Sequence, residues 1–210
     1  MSAREEILGR IRAAAGAVPP RPIPEGYRHT WEVAPEDRLA RLADRLRAYG
    51  VTVFDVASES GIAAAAERRL AELGIVSLLV PPDLPTGWWP RAPVPVPDSG
   101  QGPRELDRFL GVMTGSALAI AETGSVVLDA GPGQGRRAIS LVPDYHLCVV
   151  RTADVVGIVP EAIARLGEAA RQGRPITFIS GPSATADIEL SRVAGVHGPR
   201  KLDVLLVAAS

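Results

Sequence analysis

The sequence predicts an α/β fold on a parallel sheet, preceded by an N-terminal helical extension. Three observations carry this reading. Between residues 36 and 80, helical and strand periodicities alternate at the spacing of strand–crossover–strand units, which favours parallel pairing. Runs such as "VTVFDV" (51–56) are apolar enough to be buried strands. The composition, 46% hydrophobic and 22% charged over 210 residues, is that of a globular chain with ample length for a core of its own.

Ser2 and Glu5 form a capping-box pair for a first helix, whose apolar stripe is Ile7, Leu8, Ile11 and Ala15 and which stops near Gly16. Residues 17–35 are Pro-rich and extended, so residues 1–35 read as an extension and 36–210 as the domain. A second helix carries Leu39, Leu42, Leu46 and Tyr49 on one face and ends at Gly50. The strand 51–56 follows. Ser58 then caps a helix bearing Ile62, Ala66, Leu70 and Leu73, and "IVSLLV" (75–80) is the next strand. Residues 81–104 hold eight prolines together with Trp88 and Trp89; this long loop is expected to pack on the body, with "VPVP" along a sheet edge. The second half reads as a meander: "ALAIAETGSVVLDAG" as strand–break–strand, then "AISLV" and "HLCVVR". A helix from about 160 to 172 (Ile163, Leu166, Ala170), strand "ITFIS" and final strand "DVLLVA" complete the chain.

Several function classes are disfavoured. A net charge of −1 argues against an electrostatic nucleic-acid binder. Cys148 is the only cysteine, so no intramolecular disulfide or cysteine-held cluster can form, and its apolar surroundings suggest an inert thiol. No signal peptide is evident, and no run approaches the roughly 18 apolar residues of a membrane span, so a cytoplasmic chain without membrane insertion is expected.

Four stretches can carry chemistry. "AETG" presents Glu122 between two strands. A carboxylate at the carboxyl edge of an α/β sheet and a hairpin turn closed by Gly124 are equally compatible with the spacing. "GPGQGRR" (131–137) lacks both the Walker A ending and a following helix, which favours a loop over a phosphate cradle. In "SGPSATADIE" a strand ends at Ser180, the chain turns at Gly181-Pro182, and Ser183 is positioned to cap a short helix carrying Asp187 and Glu189, a ready anion site. "GVHGPRK" sets His197 and Gly198 before the last strand, with no second histidine at metal-ligand spacing, so no metal is expected.

Together, "AETGSVVL", "LVPDYHLCVV", "FISGPSATADIEL" and "GVHGPRKLDVLLV" resemble the LUD domain of the lactate utilisation protein C (LutC/YkgG) family. The resemblance implies a Rossmann-like sandwich of the NagB/RpiA/CoA-transferase-like type. It also implies a place in L-lactate oxidation to pyruvate beside iron–sulfur partner proteins, with no cofactor of the chain's own. The family's motif falls on Glu122, Thr123, Gly124, Ser180, Gly181, Pro182, Ser183, Thr185, Asp187, Glu189, His197, Gly198, Pro199 and Arg200, with Ala184 standing where the family commonly has an arginine. The expected roles are a catalytic Glu122, and a small carboxylate or phosphate held by Thr123, Gly124, Ser180, Gly181, Ser183, Thr185, His197, Gly198 and Arg200. Asp187 and Glu189 are expected to be structural. Strands "ITFIS" and "DVLLVA" are expected to be neighbours that bring the two polar stretches together. The alternatives are a CoA-transferase-like enzyme using Glu122 as nucleophile or base, and a binding module for an anionic metabolite.

Overall fold

The computed structural model describes residues 2–16, 22, 24, 26–186, 192–195 and 198–208. Helix α1 (Ala3–Ala15) starts at the capping box of Ser2 and Glu5 and buries none of its residues; Ile7 and Ile11 are exposed. Helix α2 (Pro35–Ala48) places Leu42, Ala43 and Leu46 in the core. Strand β1 (Thr52–Val56), helix α3 (Ile62–Glu72), strand β2 (Leu78–Val80), the two-residue edge strand β3 (Val96–Pro97), the short helix α4 (Pro103–Leu106) and strand β4 (Gly111–Thr114) follow. Strands β5 (Leu118–Ile120) and β6 (Ser125–Leu128) form a hairpin. Then come β7 (Tyr145–Arg151), β8 (Val155–Val156), helix α5 (Val159–Arg171), β9 (Thr177–Ile179), β10 (Ala184–Ala186), β11 (Arg192–Ala194) and β12 (Lys201–Val207).

Two sheets and a separate hairpin result. The first, in the order β1-β12-β7-β4-β2-β3, is parallel throughout. The second runs β8-β5-β6-β9 with β6 antiparallel to both neighbours, and β10 pairs with β11. Alternate residues of the central strands serve different layers. Leu147, Val149, Leu205 and Val207 pack with Ile62, Ala66 and Leu70 of α3. Cys148, Val150, Val204 and Leu206 pack with Leu42 and Leu46 of α2 and with Ala119, Val126 and Leu128 of the second sheet. Both faces are therefore buried, which is why β7 and β12 read as unbroken apolar runs. Helix α5 covers the outer face of the second sheet through Ala162 and Leu166.

Local expectations fail where tertiary contacts outweigh them. Tyr49 and Ile163 project into solvent, because the buried faces run through Ala43 and Ala162 instead. Ser58 caps nothing: its hydroxyl meets that of Ser60, and a 3-10 turn over Glu59–Gly61 leads into α3. "AISLV" is no strand; Arg137–Ser140 is a 3-10 turn that buries Ile139 against Leu79, Leu106 and Val112. Trp88 is buried, and the Pro-rich loop packs on the body as expected. The arm before α2 is tied down at Trp31, whose N–H donates to Glu161 at 2.8 Å.

Candidate functional site

A cavity of about 320 Å³ opens where the second sheet meets the first, at the amino-terminal ends of β7 and β12. Three segments distant in sequence line it: Arg137, Ser140, Leu141 and His146; Thr177 to Ser183; and Gly198, Pro199 and Leu202. The two polar stretches do converge, but by a different route from the one expected. Strand β9 belongs to the second sheet and β12 to the first, so they are not paired neighbours. The chain leaving β9 is stitched to the approach to β12 by backbone bonds, Ser183 N–H to Pro199 O at 2.8 Å and Gly195 N–H to Ser183 O at 2.9 Å.

Ser183 does not begin a helix. The residues after it form β10, because pairing with β11 satisfies their backbone groups and overrides a capping pattern that is only locally plausible. Among the described residues no helix follows Ser183, so Ser183 caps no helix end of the kind expected for an anion site. Gly181 turns the chain with φ +108°, and a Cβ there would come within 2.8 Å of Tyr49, so the bend requires glycine.

The predicted site residues separate into two groups. Ser180, Gly181, Ser183 and Gly198 line the cavity, whereas Glu122, Thr123, Gly124 and Arg200 do not. Gly124 has φ +63° at the β5–β6 turn and packs against α2, where a Cβ would lie 2.5 Å from Cβ of Arg45. Glu122 is partly exposed and ion-paired with Arg28. Thr123 is linked to the cavity indirectly: its hydroxyl donates to Ser125 at 2.8 Å, and Ser125 meets Ser180 at 2.6 Å. Arg200 is exposed and pairs with Asp144 at 3.2 Å. Thr185 lies on β10. Asp187, Glu189 and His197 fall outside the described residues.

Sequence reasoning missed His146, taking it as one residue of an apolar strand. It sits on the face of β7 that carries Cys148 and Val150, is fully buried, and lines the cavity. Its Nε2 lies 2.8 Å from Oγ1 of Thr114, which is also 2.8 Å from the carbonyl oxygen of Gly115. That carbonyl can only accept, so the threonine proton goes to it, and the Thr114 oxygen must in turn accept from Nε2–H. The tautomer is thereby fixed. Nδ1 is left as a bare lone pair with no partner among the described residues. Burial pushes the His146 pKa down to about 4, so the ring is neutral at pH 7.

Arg137 and Thr177 were missed as well. Arg137, exposed at the rim, donates to the Thr177 hydroxyl. The described lining thus holds one permanent cation, three serines, one threonine and one neutral histidine, and no carboxylate. Leu141, Phe178, Ile179 and Leu202 supply apolar wall. Such a lining suits an organic anion with a hydrocarbon portion. Cys148 takes no part, since burial pushes its thiol up to about 12. Among the described residues no group of three or more His, Cys, Asp or Glu side chains is placed to hold a metal ion, and no helix is long and apolar enough to cross a membrane.

The LUD domain family matches residues 104–207, the part of the chain that includes every lining residue of this cavity. A Deinococcus radiodurans protein named lactate utilization protein C is 41% identical, covering 98% of this chain and 95% of its own. The chain belongs to the LUD-domain, lactate utilization protein C family. A Geobacillus thermodenitrificans protein of the same name is 30% identical over 95% of this chain and 91% of its own. The crystal structure of a DUF162 family protein from Deinococcus radiodurans superposes with a TM-score of 0.73 at 36% identity, covering 83% of this chain and 99% of that one. The α/β sandwich expected from the sequence is therefore the fold of the family.

Proposed function

We propose that this chain is a cofactor-free subunit of an L-lactate-oxidising system that acts with iron–sulfur partner proteins, and that the cavity between the two sheets is its small-anion site. Membership of a family whose members are named for lactate utilisation supports the pathway. The observation that carries the site is the convergence of "SGPS" and the Gly198-Pro199 turn around His146, with Arg137 as the charge at the rim and no described carboxylate in the lining. A single buried cysteine offers no ligand set for a cysteine-held cluster, which fits a division of labour in which the iron–sulfur chemistry sits on partners. The acyl-transfer alternative draws no support from Glu122, which is ion-paired with Arg28 at a hairpin turn away from the cavity lining.

The test is recovery of the tagged chain from lactate-grown source cells. The captured complex should contain iron and acid-labile sulfide and oxidise L-lactate, whereas the chain purified alone should do neither. Lactate turnover by the isolated chain, or unimpaired growth on lactate after deletion of its gene, overturns the reading.

A further inference from the structure

The cavity also follows the free edge of a sheet. All three residues of β9, Thr177, Phe178 and Ile179, line it. Successive side chains of a strand point to opposite faces, so a cavity touched by three in a row runs along the strand's edge and not over one face. β6 takes the other edge, and β9 has no second strand partner among the described residues. Phe178 is 45% exposed there. An uncovered edge presents backbone donors and acceptors that a second extended chain can pair with. At about 3.3 Å per residue, β9 offers roughly 10 Å of such edge, and the lining continues through Ser180 to Ser183. That length suits three or four residues of extended peptide.

Charge and wall chemistry narrow the occupant. Arg137 donates to the Thr177 hydroxyl, so the one charged side chain of the described lining stands at the first residue of β9. A peptide added antiparallel to β9 runs its carboxyl end towards that residue, which brings a terminal carboxylate to the guanidinium. Leu141, Phe178 and Leu202 supply apolar contact for its side chains. We propose that this groove docks the carboxyl-terminal tail of a partner protein by strand addition to β9, with Arg137 taking the terminal carboxylate. The proposal goes beyond the small-anion reading and does not need it; a free acid and the tail meet the same arginine and exclude one another.

Selection of random hexapeptides with free carboxyl termini on the purified full chain tests it, followed by fluorescence anisotropy with the enriched peptides. Enrichment over a chain-free control is expected. Amidating the terminus should weaken binding at least about tenfold, the scale of one lost charge-assisted hydrogen bond. Arg137→Gln, an exposed change that spares folding, should lose the same factor and erase the difference between acid and amide. Of two peptide forms N-methylated at odd or at even positions, one should fail to bind, because only one set of nitrogens faces β9. Amide exchange should slow at Thr177–Ile179 in the complex. No enriched peptide, equal binding of acid and amide, or slowed exchange that misses β9 overturns the proposal. Failure of free L-lactate and propionate to displace the bound peptide overturns the small-anion reading instead and leaves tail docking standing.

Discussion

Acidification should unfold this protein through His146 before its carboxylates are protonated. The ring is fully buried and its pKa in the folded chain is about 4, against 6.5 in the unfolded chain. Between these values the unfolded state binds the proton and the folded state does not, so stability is full above pH 6.5 and falls as pH drops towards 4. The unfolded-to-folded difference corresponds to a loss of about 2 kcal/mol at pH 5 and about 3 kcal/mol below pH 4. Urea unfolding at pH 7.5, 6 and 5 measures it. His146→Gln should be less stable than the parent at pH 7.5, since an amide fits the Thr114 partner imperfectly, but should show a flatter pH dependence over this interval. Asp98, Glu59 and Glu161, whose carboxyls are held below their ordinary values, lose their contributions only nearer pH 4, so the interval isolates the histidine. Parallel pH profiles for parent and variant would refute the assignment of a neutral, buried imidazole.

Three further outcomes follow from packing. Gly124→Ala should cost about 1–3 kcal/mol in urea unfolding, because the residue has φ +63° and its Cβ would press on the backbone and side chain of Arg45. Asp203→Ala should cost about 3 kcal/mol, since Asp203 is buried and its Oδ2 receives Arg69 at 2.7 Å and the Tyr145 hydroxyl at 3.0 Å. A loss below 1 kcal/mol would mean that water replaces the carboxylate. Cys148 in the native chain should resist thiol-specific reagents at pH 8 and react fully in denaturant, because burial holds its pKa near 12; rapid native labelling would show that the β7 face opens to solvent.

Much of the architecture is legible where one residue pattern has one physical solution. The capping box of Ser2 and Glu5 forms because both partners lie within one turn. Residues 51–56 and 203–207 are apolar at eight of eleven positions and pair in parallel register from Thr52 opposite Asp203 to Val56 opposite Val207. β1 lies at the sheet edge, however, and of Thr52–Val56 buries only Val56 rather than forming the fully buried strand expected. Patterns with two solutions are not decided locally. Ser183 has the side chain of a helix cap, yet Ala184–Ala186 gains a full partner in β11, and strand pairing wins. "AISLV" has strand composition, yet a 3-10 turn places Ile139 in the core beside Val112. "ITFIS" is a strand in either reading; nothing within five residues says that its partner is β6 rather than β12.

The site was only half legible for the same reason. "SGPS" and "GVHGP" declare themselves by polar residues and glycines clustered between strands, and six of their residues do line the cavity. His146 carries no such mark, because a strand buried on both faces hides a cavity-lining residue among apolar neighbours. Its one local signal is a titratable side chain two positions before the buried Cys148, on the alternation that faces the second sheet. A strand residue of that kind needs a partner for each ring nitrogen, and Thr114 supplies one of them from an adjacent strand, 32 residues away in sequence. The missing second partner, visible only after the sheets are assembled, is what distinguishes His146 from a satisfied core histidine.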